Sequence, residues 1–213
     1  MPASALRDGL AALGLELDDE AQRTLLRYGD LLRRWNRVFN LTAVDAPREI
    51  VTRHLLDALA VLPYLPPGRI VDVGSGAGLP GIPFAVARPE LDVTLLDASA
   101  KRVRFMRQAV IELGLANAHP VHARAENHRP DRAYDAVVTR AFAGISDMLS
   151  ACRHLVGADG VILAMKGQRP DPELAALPTD VVLRDVVPLA VPGLDAARHL
   201  VRLVPVTARR TPR

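Results

Sequence analysis

Cysteine is nearly absent: the 213 residues hold one, Cys152. A lone thiol excludes an internal disulfide framework and any zinc cluster built on cysteines. Long apolar runs are missing as well. No segment approaches the roughly 18 uncharged apolar residues that a membrane span requires. The first residues carry Arg7 and Asp8 in place of an apolar signal core, so a cytoplasmic chain without membrane attachment is expected. Lysine is scarce: of 27 basic residues only Lys101 and Lys166 are lysine, and both fall beside motifs described below. Repeats and low-complexity tracts are missing. Metal-ligand spacing is missing too: His119, His122 and His128 lie near one another but match no metal-site pattern, so no metal is expected. Charge imbalance is mild, at +3. It permits an acidic partner such as RNA without demanding one.

What is there is enough apolar material for a sizeable core, 49% of the chain. The length suits one domain with an extension. Residues 18–36 read as an amphipathic helix. Asp18 can cap it, and Ala21, Leu25, Tyr28, Leu32 and Trp35 recur at helical spacing on one face. A second helix is expected from near Pro47, a residue suited to a first turn, to Pro63. It carries Ile50, Val51, Leu55, Ala58 and Leu62. Pro66-Pro67-Gly68 then breaks the chain. The division is therefore a helical extension, 1–64, a second unit, 65–208, and a basic tail, 209–213.

The second unit alternates. Strands are expected at Arg69–Val73, Leu91–Leu96, Ala118–His122, Ala136–Thr139 and Gly160–Met165. Helices follow the first glycine-rich turn up to Ala87, then Ser99–Leu113 and Ile145–Leu155. Such alternation means a parallel sheet with helices on both faces. Val181–Leu189 and His199–Val206 have no helix between them, so an antiparallel C-terminal hairpin is expected.

The strongest local signal is Val71-Asp72-Val73-Gly74-Ser75-Gly76-Ala77-Gly78-Leu79-Pro80-Gly81, where the first strand turns into a helix. Glycines there let backbone approach a ligand at the helix N-terminus. Gly76, Gly78 and Gly81 formally match a dinucleotide fingerprint, which is weak alone. Glycines that begin at Gly74, preceded by an acid in the strand, suit S-adenosylmethionine better. In that reading Asp72 meets the ammonium of the methionine moiety, directly or through water. Asp97 ends the second strand 23 residues after Gly74. It can accept hydrogen bonds from both ribose hydroxyls or cap the helix that follows. The third strand leads to Ala125 and Glu126, where adenine is expected.

These residues resemble a family. Asp72–Pro83 is similar to the glycine motif of bacterial 16S rRNA guanine-N7 methyltransferases, the ribosomal small subunit methyltransferase G or glucose-inhibited division protein B family. The resemblance continues through Leu95–Ser99 with Lys101–Phe105, through Arg140–Ala143 and Ala164–Gln168, and through Val191–Asp195 with Arg198–Leu200. In the helical extension it covers Trp35-Asn36, Asn40–Thr42 and Arg53–Asp57. It implies a Rossmann-like class I methyltransferase fold, S-adenosylmethionine as cofactor, and a site at Gly74, Leu79, Ala125, Glu126 and Arg140. It also implies 16S rRNA or the small ribosomal subunit as partner. The chain is expected to be a monomer.

A covalent route through cysteine is not expected, since Cys152 falls in a helical stretch. Guanine N7 carries a free lone pair and no proton, so no general base is required. Arg140 is expected to contact the cofactor's carboxylate or the target base, against the plainer reading of a structural salt bridge. Lys166 is expected to meet an RNA phosphate, against that of an exposed strand end. Arg33, Arg34, Arg37, Arg53 and His54 are candidates for RNA backbone contact, though charged helix faces are often merely solvated. A nicotinamide oxidoreductase, a methyltransferase of small molecules or proteins, and a non-enzymatic RNA-binding protein remain rival readings.

Overall fold

The computed structural model describes residues 1–140, 142 and 144–206. The basic tail, 209–213, lies outside the described residues.

The extension opens with α1 (Pro2–Ala12), which the sequence reading did not single out. Its few apolar contacts, Leu6 and Leu10, give a weak periodic signal, yet both are buried. α2 (Asp19–Phe39) follows. The Asp18 carboxylate accepts from Ala21 N–H at 2.7 Å, the capping expected of that residue. Leu25, Tyr28 and Leu32 on its predicted face are completely buried. Each such side chain contributes roughly 1.5–3 kcal/mol of hydrophobic stabilisation.

The single helix expected from Pro47 to Pro63 is not uniform. It divides into α3 (Pro47–Ile50), a π-helical segment (Val51–Leu56), α4 (Asp57–Leu59) and a 3-10 turn (Leu62–Tyr64). A π turn inserts an extra residue and rotates the face that follows. No periodicity in the apolar residues announces it.

Seven strands form one sheet in the order β3-β2-β1-β4-β5-β7-β6. β1 (Arg69–Val73), β2 (Asp92–Asp97), β3 (Ala118–His122), β4 (Tyr134–Thr139) and β5 (Val156–Lys166) run parallel to their neighbours in that set. β5 begins earlier than expected, at Val156, because a register irregularity opposite Tyr134 lets its first residues pair before the apolar run starts. β6 (Val181–Pro188) and β7 (His199–Pro205) form the expected antiparallel pair. β7 inserts beside β5, and β6 takes the edge.

Helices α5 (Gly81–Ala87), α6 (Ala100–Leu113) and α7 (Ile145–Cys152) connect the parallel strands, and a short α8 (Asp171–Ala175) follows β5. One buried cluster joins the apolar faces of α1 and α2 to α5, α6 and one side of the sheet. A second, under α7, covers the other side. The extension therefore shares its core with the sheet. It is also tied on at the rim: Arg34 pairs with Glu112 at 3.2 Å, and Lys101 donates to the last-turn carbonyl of Phe39 at 2.6 Å. That contact gives Lys101 a structural partner. No helix among the described residues is long and apolar enough to cross a membrane.

Candidate active site

Parallel strands deliver their C-terminal ends to one edge, and the glycine loop turns over that edge. Gly74, Gly76 and Gly78 have φ of 72°, 59° and 83°, a region in which side chains are strained and glycine is not. Gly74 and Ser75 both donate to Leu96 O, at 2.8 and 3.1 Å, which locks the loop to β2. From the other side, Tyr28 of α2 donates its hydroxyl to Ala77 O at 2.7 Å. A helix of the extension thus holds the loop. Tyr28→Phe leaves that carbonyl without its partner. We expect a loss of about 1–2 kcal/mol and several-fold weaker adenosylmethionine binding. Thermal melts and calorimetric titration check both, and an unchanged variant would show the bond to be incidental.

Asp97 is 4% exposed. Its Oδ2 accepts from Gly76 N–H and its Oδ1 from Ser99 N–H, both at 2.8 Å, and Arg102 stands 3.5 Å away. It therefore clamps the loop and the entry to α6. Its Oδ1 keeps a further lone pair, and Asp97 lines a cleft with Ala125, Glu126 and Phe142. Asp72 departs from the sequence reading. Its side chain is fully buried, accepts from Gly81 N–H at 2.8 Å, and lines none of the clefts around the loop. It braces the turn from beneath through Oδ2, while its Oδ1 is buried with no hydrogen-bond partner among the described residues.

Three clefts adjoin along this edge. The first, about 170 Å³, runs from Gly74 past Asp97 to Glu126. The second, about 340 Å³, lies over Gly74, Gly76 and Leu79 and is closed by Thr42, His54 and Arg140. The third, about 360 Å³, lies beyond Arg140 and His54 and is lined by Arg53, Asp57, Lys166 and Arg198. Gly74 is common to the first pair, and His54 and Arg140 to the second. Gly78 lines none of them and shapes the loop from within.

Arg140, at the end of β4, is the shared wall. Its guanidinium donates to Asp57 Oδ2 at 3.3 Å, while Arg198 donates to Asp57 Oδ1 at 2.8 Å. Asp57 is 2% exposed and the two arginine side chains 27–30%. The structural salt bridge weighed for Arg140 therefore exists, and the same residue borders both clefts. The sequence names Asp57 and Arg198 only as letters of the family motifs and gives neither a role. A carboxylate inside the otherwise apolar run from Leu55 to Leu59 was the signal that could have found the first, since such acids are rarely buried unpaired.

His54 is also buried. Its Nδ1 lies 2.9 Å from Arg53 O, which can only accept, so Nδ1 carries the proton and Nε2 accepts from Thr42 Oγ1 at 2.9 Å. Asn36 Oδ1 accepts from Leu41 and Thr42 N–H at 2.7 and 2.9 Å and so fixes this connector. His54 is thus a neutral wall and not a cation for RNA backbone. Lys166 is not an exposed strand end: its side chain is 11% exposed and meets Glu173 of α8 at 3.2 Å. The same Glu173 accepts from Ile145 N–H at 2.5 Å.

The other cations named from sequence scatter. Arg33 donates to Asp45 O at 3.0 Å, Arg34 pairs with Glu112, and Arg37 is exposed on α2. Of the five residues proposed for RNA contact in the extension, only Arg53 and His54 line the clefts. His119, His122 and His128 take separate partners: Asp92, Ala98 O and the Tyr134 hydroxyl. Cys152 is buried, and burial pushes its thiol up to about 12, so it offers no thiolate.

Two titrations oppose each other. Burial, reinforced by Arg140, lowers His54 to about 4 from 6.5. Between those values the unfolded chain binds a proton that the folded chain refuses, so stability falls as pH drops through them. Burial raises Asp72 to about 7 from 3.8, against the pull of the Gly81 N–H. There the folded chain holds the extra proton, and stability falls as pH rises. Asp72→Asn keeps an acceptor for Gly81 and removes the second effect. Its melting temperature should climb more steeply than the wild type's between pH 4.5 and 7. An identical slope would show that Asp72 ionises as an ordinary carboxylate.

Comparison with known proteins decides the family. The family model described as rRNA small subunit methyltransferase G matches residues 21–201. The chain belongs to the rRNA small subunit methyltransferase G family. It is 53% identical to the ribosomal RNA small subunit methyltransferase G of Azoarcus sp. (strain BH72), over 93% of this chain and 94% of that one. It is 49% identical to the protein of that name from Laribacter hongkongensis, over 93% and 96%. Solved structures share the fold. TrmN from Thermus thermophilus aligns with TM-score 0.57 at 19% identity, covering 80% of this chain and 53% of that one. A SAM-dependent methyltransferase from Aquifex aeolicus aligns with TM-score 0.56 at 16% identity, covering 78% and 97%. The Rossmann-like fold and the membership of the methyltransferase G family agree with what the resemblance of motifs along the sequence implies.

Proposed function

We propose that the protein transfers a methyl group from S-adenosylmethionine to N7 of a guanine in 16S rRNA, acting in the cytoplasm as a monomer. The observation that carries this reading is the junction at Arg140, where the clefts of the glycine loop open into a cleft walled by Arg53, Lys166 and Arg198. A cationic cleft of that kind suits a polyanion.

The donor set fits the cofactor. Asp97 keeps a lone pair on Oδ1 for a ribose hydroxyl, Ala125 and Glu126 stand where adenine is expected, and Gly74, Gly76 and Leu79 offer backbone and a close approach. Gly78 keeps the loop in shape. The cofactor's own contribution is a methyl group on a sulfonium sulfur, which leaves as a neutral thioether. Guanine N7 brings its lone pair and no proton, so no side chain need act as a base. The residues must hold N7 at roughly 3–3.5 Å from the methyl carbon and in line. Arg140 serves that purpose by donating to guanine O6, since a hydrogen bond to N7 would occupy the nucleophile. His54, neutral and fixed by Thr42, closes the wall without adding charge. Residues 1–64 form the extension that supplies this wall and holds the loop through Tyr28.

The rival readings are separated by binding and label. Calorimetry should detect saturable adenosylmethionine binding and none of a nicotinamide dinucleotide. Methyl label should then appear in 16S rRNA supplied as small subunits or as naked transcript. Saturable nicotinamide binding without adenosylmethionine binding would sink the proposal, as would label found only in protein.

A further inference from the structure

The groove does not end at the third cleft. Arg53 and Arg198 are common to that cleft and to a fourth, about 360 Å³, between the α3 end of the extension and residues 193–196. Nothing in the transfer chemistry uses this fourth space. Its wall is firmly built. Gly193 has φ +74°, a conformation that favours glycine, and a Cβ there would stand a tight 3.0 Å from the Thr52 methyl, so the turn packs closely against the π-helical segment. Leu194 N–H closes that turn onto Val191 O at 3.1 Å, and Val191 is buried in the core.

Charge in the fourth cleft is mixed, three arginines against two acids. Arg48, Glu49 and Arg53 line one wall, and Asp195 and Arg198 line the other. Glu49 is engaged with Arg53 at 3.6 Å. Arg198 stands at the mouth, held by the buried Asp57 on one side and by its own chain at Ala197 O, 2.9 Å, on the other. A guanidinium fixed at two points loses little freedom when it takes a further anion.

We infer that the fourth cleft is a binding site for a phosphodiester of the RNA strand adjoining the target nucleotide, with Arg198 at its mouth and Arg48 along its wall as the phosphate contacts. Asp57 is the positioning residue that holds Arg198. The inference rests on RNA being the substrate, and it adds the path that the strand takes as it leaves the acceptor cleft. The cleft on the far side of Arg140 receives the base, and the backbone beside it lies between the π-helical segment and the 191–195 turn.

The test is direct RNA binding, read by filter retention of labelled 16S rRNA over a series of salt concentrations, so that it does not depend on turnover. Arg198→Ala should weaken binding about tenfold and lower the slope of log K against log salt by about one. Its adenosylmethionine affinity should stay within twofold of wild type. Arg198→Lys, which keeps the charge, should recover most of the slope, and Arg198→Gln should not. Arg48 is exposed, and its removal threatens no core. Arg48→Ala should therefore show the same loss of slope with an unchanged melting temperature, even if Arg198 variants fold poorly. Wild-type slope and affinity in Arg48→Ala and in folded Arg198→Ala would overturn the assignment. So would a loss of cofactor affinity equal to the loss of RNA affinity. Wild-type protein that binds RNA with this salt response but labels no rRNA would instead count against the methyl-transfer reading and leave the groove standing.

Discussion

Arg140→Ala lowers methyl transfer at saturating cofactor and RNA by about 100-fold, the order of loss expected when a reacting group is misplaced by an ångström. Stability changes little. Asp57 keeps its shorter bond, to Arg198 at 2.8 Å, when the 3.3 Å bond to Arg140 is removed. Arg140 is also part-exposed, so the pair it loses is partly screened. A change near 1 kcal/mol moves the melting temperature of a chain of this size by about 2–4 °C. The split between kcat and melting temperature distinguishes the two roles weighed for this residue. A purely structural arginine would shift stability and leave kcat alone. Arg140→Lys sharpens the comparison: it retains charge but not the planar pair of donors, and its kcat should remain at least about tenfold down. Measurement is by single-turnover kinetics alongside thermal melts.

Asp57→Asn produces the largest loss of stability among the site residues. The carboxylate is 2% exposed and bonds two guanidinium groups that come from the residue after β4 and the residue before β7. Hydrogen bonds to charged groups contribute roughly 1.5–3 kcal/mol, so a fall of about 5–10 °C in melting temperature is expected. RNA affinity falls as well, because both arginines lose the partner that aims them. A double-mutant cycle of Asp57→Asn with Arg198→Ala should return a coupling of about 0.5–3 kcal/mol. A coupling of zero, with melting temperature unchanged, would show that the ion pairs contribute nothing.

Most of the sheet is legible because its central strands are short apolar runs and glycine, proline and polar turns punctuate the chain between elements. Arg69–Val73 and Ala118–His122 match residue for residue. The glycine loop was legible because positive φ at three positions leaves glycine little competition. What escaped was set by tertiary context. The π-helical segment at Val51–Leu56 changes the face on which His54 and Asp57 emerge, and helical periodicity assumes 3.6 residues per turn throughout. Asp72 looked like a ligand because it precedes the glycines. Only the fold shows that the pleat turns it under the loop, against Gly81. Lys166 looked like a free cation at a strand end, yet α8 brings Glu173 back across it, and five residues of helix leave almost no periodic trace. Arg198 lies 141 residues from Asp57, and no local pattern could pair them.

The most direct test of the account is to methylate small ribosomal subunits taken from a strain that lacks this gene. Purified protein and methyl-labelled adenosylmethionine supply the reaction, and the recovered 16S rRNA is treated to cleave the chain at N7-methylguanine. The account predicts label in 16S rRNA and cleavage at a single guanine, both lowered by about 100-fold with the Arg140→Ala variant at matched times. Label in the RNA with no cleavage would contradict the N7 assignment, and no label at all, from protein that demonstrably binds the cofactor, would contradict methyl transfer to 16S rRNA.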